Sequence, residues 1–259
     1  MEFNCLKYKS ENGVTTITLN RPDRFNAFNN EMSYELQDAL KAVKRDKECR
    51  VVVLTGEGKA FCSGQDLKDI AGAERSLSDS LYKRYNPIIK AMRSLSKPII
   101  CKLNGVAAGA GCSLALASDF IIASEKASLI EVFVNVGLVL DSGSSYFLPR
   151  VVGSQKAFEL ATMGSKVTAQ HALEWGMVNR VVAVENLDSE VAEVAAFYSN
   201  APTKAIGMMK AMLNKSTSSD LDTMLQYEAY CQEIAGNSSD YKEGVTAFNE
   251  KRKPEFKGE

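Results

Sequence analysis

Apolar residues recur along the first two-thirds of the chain in two alternating periods, which predicts short strands joined by helical crossovers. Val14–Leu19 is expected to be the first strand. Residues 30–45 then carry Met32, Leu36, Ala39, Leu40 and Val43 at helical spacing, which predicts an amphipathic helix leading back to a strand over 50–55. That strand reads VVVLT and is apolar on both faces, the composition of a parallel-sheet strand covered from both sides. A further helix is expected over 78–96, closed by Pro98, and Ile99–Leu103 follows as a buried strand. The same unit repeats through 114–123. From Leu187 onward the strand pattern stops and successive helices remain, those over 220–236 and 240–252 each opening on an acidic cap, Asp220 and Asp240. The pattern thus divides the chain into an α/β core over 1–185, which should hold the site, and a C-terminal helical region over 186–259. No Pro/Gly/Ser-rich linker separates them. The apolar faces of the last helices need a partner surface.

Charge narrows the partners. The 31 basic residues nearly cancel the 32 acidic ones, and neither sign forms a long block, so a nucleic acid or an anionic membrane is not expected. A small-molecule substrate is. Apolar runs fall short of the roughly 20 residues that span a bilayer, the N-terminal MEFNCLKYKSENG lacks an apolar signal core, and KPEFKGE carries no retention or peroxisomal tripeptide. Six cysteines, at 5, 49, 62, 101, 112 and 231, show no CxxC spacing, and no histidine cluster accompanies them. They are expected to be reduced thiols of a cytoplasmic protein, with no metal site.

Two glycine-rich segments follow buried strands, at 55–67 (TGEGKAFCSGQDL) and 104–113 (NGVAAGAGCS). Gly109, Ala110 and Gly111 have almost no side chain, so the free N–H groups of the helix that follows would be open to a negatively charged ligand. Close packing of that helix on the sheet is the alternative use of the same small residues. Neither segment ends in the GK[ST] of a P-loop or completes the G-x-G-x-x-G of a dinucleotide site, which removes nucleotide hydrolysis from consideration.

Taken in order, N20-R-P-x-x-x-N-A27, A60-F-C-S-G-Q-D-L67, K97-P-I-I…N104-G-x-A-x-G-x-G111, the S-D-F-I-I-A stretch at 118–123, Gly137-Leu138, L148-P-R150 and A169-x-x-A-x-x-W-G-M-V178 resemble the enoyl-CoA hydratase/isomerase, or crotonase, family. The resemblance spans about 14–256. It implies an α/β crotonase (ClpP-like) spiral of ββα units with a C-terminal helical trimerisation region, assembled as a homotrimer or homohexamer. It also implies an acyl-CoA thioester substrate, with coenzyme A as part of the substrate and no separate cofactor. By position in the motifs, the backbone N–H groups of Gln65 and Ala110 would form an oxyanion hole for a thioester enolate, each such donor being worth about 3–4 kcal/mol. Arg24, near the pyrophosphate, with Ser63, Gln65, Asp66 and Leu67 would line the coenzyme A channel. Loop capping and solvated charge are the alternatives for Arg24, Ser63, Asp66 and Leu67. Phe248 and Lys251, on the last helix, would reach coenzyme A across a subunit boundary, a surface charge run being the other reading of Lys251.

Hydratases of the family hold water between two glutamates, and those positions here carry Ser113 and Phe133. A hydroxyl and a phenyl ring cannot act as that acid/base pair, so isomerisation is expected rather than hydration. Glu131, two residues from the second position, could substitute for the missing glutamate, but reads first as a solvated strand-end carboxylate. Asp141 is the better placed acid: the stretch 138–150 (LVLDSGSSYFLPR) is similar to that of ring-1,2-epoxyphenylacetyl-CoA isomerases, which carry an acid/base aspartate there. One carboxylate suffices to lift a proton from one carbon and return it to another, and the apolar lead-in Leu138-Val139-Leu140 should raise its pKa. Helix capping is the purely structural alternative for Asp141. Three other functions stay open: an enoyl-CoA hydratase, a dehalogenase with Asp141 as nucleophile, and a catalytically silent coenzyme A-binding or scaffold member. A dehalogenase would need a helper histidine, but His171 falls in the family's outer helix and reads as structural. Tyr82, Tyr85, Phe133, Tyr146 and Phe147 could frame an aromatic or cyclic acyl group, although core packing explains them equally.

Overall fold

A computed structural model describes residues 2–70 and 76–259. Strands β1 (Leu6–Glu11), β2 (Val14–Leu19), β3 (Val51–Gly56), β5 (Ile99–Leu103), β7 (Phe120–Ser124) and β10 (Arg180–Val182) form one sheet in the order β1-β2-β3-β5-β7-β10. Strands β4 (Ala60–Cys62), β6 (Val106–Ala108), β8 (Ser128–Ile130) and β9 (Lys166–Thr168) form a second. Pairing is parallel except at β1 on β2 and β9 on β8. Each successive pair, β3 then β4, β5 then β6, β7 then β8, adds one strand to each sheet in the same order, so the chain winds as a spiral of ββα units. β3 is buried along its whole length between parallel neighbours, as its two-faced apolar sequence requires.

Helix α1 (Asn30–Arg45) is capped by the Asn29 side chain, which accepts from the Met32 N–H at 2.8 Å. It buries Met32, Leu36, Ala39, Leu40 and Val43, of which the larger side chains contribute about 1.5–3 kcal/mol each. Short helices α2 (Leu67–Ile70) and α3 (Leu77–Ser80) follow, then a π-turn over Leu81–Tyr85 and α4 (Asn86–Ser94). α5 (Ala110–Leu116) is buried on every side, so it is the central helix of the core. α6 (Ser144–Val152), α7 (Ser154–Met163) and α8 (Ala169–Glu174) complete this part. α9 (Leu187–Ser199) lays Leu187, Val191, Val194 and Ala195 over Val51, Val53, Ile100 and Ile122 of the large sheet. α10 (Thr203–Ser216) is anchored by Lys210, buried and donating to Asp119 Oδ2 at 2.6 Å and to the Met92 carbonyl at 2.8 Å. α11 (Leu221–Gly236) and α12 (Ser239–Glu250) finish the chain. Among the described residues no helix is long and apolar enough to cross a membrane.

Three sequence expectations change. Val14–Leu19 is the second strand, because LKYKSE, with little beyond Leu6 buried, pairs with it as an edge strand whose polar sequence hides the period. The helix expected over 78–96 is interrupted by the π-turn. And α12 is capped by Ser238, which accepts from the Tyr241 N–H at 3.0 Å, while the buried Asp240 carboxylate accepts from the N–H groups of Lys257 and Gly258. Asp220 caps α11 as expected.

Candidate active site

The two glycine-rich segments meet because their small residues let backbone touch backbone. A methyl group on Gly64 would stand 2.8 Å from the Ala108 carbonyl oxygen and 3.6 Å from the Ala110 nitrogen, and one on Gly111 would stand 2.1 Å from the Cys62 carbonyl oxygen. Only glycine fits at either place. Asn26 and Asn104 hold the first segment from both sides. Asn26, in the left-handed region at φ 56° beside Phe25 at φ 48°, donates to the carbonyls of Glu57 and Ala60, and Asn104 donates to those of Gly58 and Ala60. These motif asparagines are thus structural clamps on the turn between β3 and β4.

The Gln65 and Ala110 N–H groups are left over by the local hydrogen bonding. Phe28 and Gln65 form a parallel bridge in which Phe28 N–H donates to the Gly64 carbonyl and Asp66 N–H to the Phe28 carbonyl. That pattern turns the N–H of Gln65 away from Phe28. Ala110 opens α5 at its first position, where an N–H has no partner within the helix.

A third segment joins them through Ser113. Its buried hydroxyl lies 3.0 Å from the Asp141 carbonyl oxygen and 3.3 Å from that of Gly109, the peptide that carries the Ala110 N–H. The residue standing where a hydratase glutamate would be therefore ties the Asp141 loop to the start of α5. Asp141 does not cap α6: the N-terminal cap is Gly143, and the Asp141 carboxylate accepts instead from the Ser142 hydroxyl at 2.8 Å. Ser142 sits in the left-handed region at φ 50°, a strain of about 1–3 kcal/mol that the surrounding hydrogen bonds must hold. Burial raises the Asp141 pKa above its ordinary value, and the Ser142 hydrogen bond opposes this only in part. The lead-in does not supply that burial, for Leu138 and Val139 are both exposed, Val139 to 82 %.

Glu131 is not solvated. It is 2 % exposed, its Oε1 accepts from the Ser144 hydroxyl at 2.6 Å, and the Cys112 thiol stands beside the carboxylate as a weak donor. Burial raises its pKa, the Ser144 bond counters part of that, and the Asp141 charge adds to the rise. Phe133 is buried, its ring about 3.8 Å from the position a Gly109 methyl would take.

The remaining expected residues divide into two groups. Ser63 lies beside Arg24, its hydroxyl 3.4 Å from the Arg24 carbonyl, and the Arg24 side chain is exposed. Leu67 is exposed at the start of α2, while the buried Asp66 carboxylate pairs with Arg21 at 2.9 Å and accepts from the Lys68 N–H. All four border the first glycine segment. Phe248 and Lys251 do not: Phe248, exposed on α12, borders a 570 Å³ groove with Tyr241, Val245 and Phe256. A 630 Å³ cleft along Thr16, Thr18, Thr55, Lys102 and Asp188 likewise holds none of the converging groups. Tyr85 is buried against Gln65, whereas Tyr82 and Tyr146 are exposed. All six cysteines are free and buried. Cys5 gathers with Glu31 and Glu35, but burial first, then these carboxylates, push its thiol to about 11, and both Glu35 oxygens accept backbone N–H groups.

Residues 9–259 match the family model of enoyl-CoA hydratase/isomerase. With its spiral of ββα units, the chain belongs to the enoyl-CoA hydratase/isomerase family, an enzyme family of crotonase fold. It is 44 % identical over 252 residues, 96 % of each chain, to the 1,2-epoxyphenylacetyl-CoA isomerase of Escherichia coli (strain K12). It is 31 % identical over 220 residues to 4-chlorobenzoyl coenzyme A dehalogenase-1 of an Arthrobacter species, covering 83 % of this chain and 80 % of that one. A solved enoyl-CoA hydratase from Bacillus anthracis superposes with a TM-score of 0.94 at 34 % identity, covering 99 % of this chain and all of that one. Arg84 carries no sequence signal, the sequence marks Tyr85 only as an aromatic that frames the acyl group or the core and Ser144 only as part of the 138–150 stretch, and Glu131 was misplaced because its burial is tertiary.

Proposed function

We propose that this enzyme is an acyl-CoA isomerase that stabilises a thioester enolate and shifts a double bond or a ring-epoxide bond with one aspartate. The observation that carries the reading is the convergence on Ser113, whose hydroxyl joins the Asp141 carbonyl to the peptide of the Ala110 donor. The thioester oxygen would accept from the N–H groups of Gln65 and Ala110, where negative charge develops once the neighbouring carbon loses a proton. Asp141 would take that proton and return it to another carbon. A raised pKa suits a group that must both accept and release a proton near neutrality. With Ser113 and Phe133 in the two hydratase positions, paired carboxylates for holding a water are missing there, which supports isomerisation over hydration. Glu131 does not replace them, because it is sealed under Ser144. The likeness to a 1,2-epoxyphenylacetyl-CoA isomerase over nearly the whole chain supports the same choice.

Coenzyme A would enter as part of the substrate past Arg24, Ser63, Asp66 and Leu67, with no separate cofactor. Phe248 and Lys251 would act from a neighbouring subunit of a cytoplasmic homotrimer or homohexamer, since in one chain they stand apart from the converging loops. The likeness to a dehalogenase keeps a nucleophilic Asp141 as the second reading. His171, exposed on α8 and stacked on Trp175 with centroids 5.3 Å apart, lends it no support as a helper. A panel of enoyl-, dienoyl- and aryl-acetyl-CoA thioesters tests the proposal. Isomerisation should exceed hydration of crotonyl-CoA by at least about a hundredfold, the lower end of what a positioned acid or base contributes. Hydration as fast as isomerisation, or a covalent aryl adduct trapped from a chlorinated substrate, would overturn it.

A further inference from the structure

Gln65 is held by more than its backbone. Its side-chain nitrogen donates to the Phe28 carbonyl at 2.9 Å and to the Asp66 carbonyl at 3.2 Å, and its side-chain oxygen accepts from Arg84 at 3.0 Å and from the Tyr85 hydroxyl. The amide is saturated at both ends, which leaves the Gln65 backbone no freedom to swing. Arg84 and Tyr85 are consecutive, and neighbours in an α-helix do not face a common target. They converge here because the π-turn Leu81–Tyr85 widens the helix at this point, the Asn86 N–H closing onto the Leu81 carbonyl.

The pair is itself built into the core. Tyr85 is 5 % exposed, its ring edge-on to Phe28 with centroids 5.5 Å apart, and the Arg84 guanidinium lies 5.3 Å from the Tyr85 ring centre. Arg84 is equally buried, yet its partners are neutral: Ser80, Asn30 at 2.8 Å, and Gln65. Among the described residues no carboxylate stands within ion-pair distance of it, and Asp79, one turn away, pairs with Lys83 instead. A buried guanidinium without a counter-ion is expensive to hold, so a fold that needed only packing would have little reason to place one there. Here the positive charge is aimed at the side chain of the residue whose N–H points into the site.

We propose that Arg84 and Tyr85 are positioning residues that set the oxyanion hole by clamping the Gln65 amide, the π-turn being the device that presents both to one oxygen. The inference rests on the isomerase reading, because it takes the Gln65 N–H as a donor to the thioester oxygen.

The experiment compares wild type with Tyr85→Phe, Gln65→Met and the two combined, and adds Arg84→Met with Arg84→Lys as the charge-keeping control. Turnover of the best thioester and exchange of the α-protons of phenylacetyl-CoA in D2O by NMR are measured, alongside the melting temperature and thioester affinity. Tyr85→Phe should lower kcat and exchange by about three- to tenfold and Arg84→Met by about ten- to a hundredfold, as expected for a neutral and a charged hydrogen bond. KM should stay within twofold, and Arg84→Lys should restore part of the loss. The double variant should lose little more than Gln65→Met alone, since both changes break one clamp. A structural role would lower the melting temperature and leave kcat per folded molecule intact. Turnover within twofold of wild type in folded Tyr85→Phe and Gln65→Met, or losses that simply multiply, overturns the inference even if Arg84→Met fails to fold. A wild type that neither isomerises any thioester nor exchanges α-protons takes the inference down together with the reading beneath it.

Discussion

Between residues 62–66 and 108–111 backbone packs against backbone, whereas between 131 and 144 side-chain hydroxyls and carboxylates make the contacts. In the first region Ala110 would offer the same N–H as any residue but proline, whereas Gln65 is also tied by its side chain. What this region cannot tolerate is bulk at Gly64 or Gly111, where a methyl would collide with a backbone carbonyl. The second region behaves in the opposite way. Its backbone path is kept by hydroxyls, Ser113 on the Asp141 carbonyl, Ser142 on the Asp141 carboxylate and Ser144 on Glu131, and each of these is replaceable one residue at a time.

The sharpest test of this contrast is Asp141→Asn. It keeps the size, and its loss should lower turnover by about 10²- to 10⁴-fold, the worth of a positioned base, while thioester affinity holds. Because the Asp141 side chain does not cap α6, the melting temperature should be nearly unchanged. A variant that isomerises within a few-fold of wild type would move the chemistry elsewhere. Next is Ala110→Pro. Proline is accepted at the first position of a helix, so the fold should survive, and removal of one N–H should cost about 10²- to 10³-fold in turnover. Unchanged turnover in the folded variant would reassign the donor.

Ser113→Ala should act more gently, since it loosens the Asp141 loop without removing a reacting group. Stability should fall by about 0.5–1.5 kcal/mol and turnover by several-fold, read from thermal melts and kcat on one preparation. Intact kcat would mean that the hydroxyl serves folding alone. The smallest effect is expected from Glu131→Gln, and it is a difference in pH dependence. Burial raises the folded pKa of Glu131 above the ordinary value near 4.3, so the folded state holds its proton where the unfolded chain has lost it. The wild type therefore loses stability as pH rises from that ordinary value through the raised one, and glutamine removes this loss. The melting temperature of the variant, relative to wild type, should climb as pH rises above the ordinary carboxylate value. Parallel curves would show that Glu131 does not hold an extra proton in the fold.

Much of this molecule was legible in one dimension. The helical period over Asn30–Arg45 survives intact, Ile99–Leu103 is a strand with the boundaries its β-branched run predicted, and the ordered glycine motifs announced the family. Motif, period and a capping residue such as Asp220 are local statements about a few neighbouring residues, and local propensity decided them. The motif asparagines at 26 and 104 hold the turn between β3 and β4, a role that no local pattern announced.

Tertiary structure decided the rest, for one physical reason: whether a polar side chain is solvated or sealed depends on what packs over it from distant parts of the chain. Glu131 ends a strand, a place that favours exposure, but Ser144 and α6 close over it. β1 has no apolar alternation of its own and exists because β2 offers an edge. Arg84 and Tyr85 lie 19 and 20 residues from Gln65, and only a π-turn, invisible in the hydrophobic period, turns both onto its amide. The sequence alone thus determined the family and the local elements, while the packing of β8, α5 and α6 determined which acids are buried.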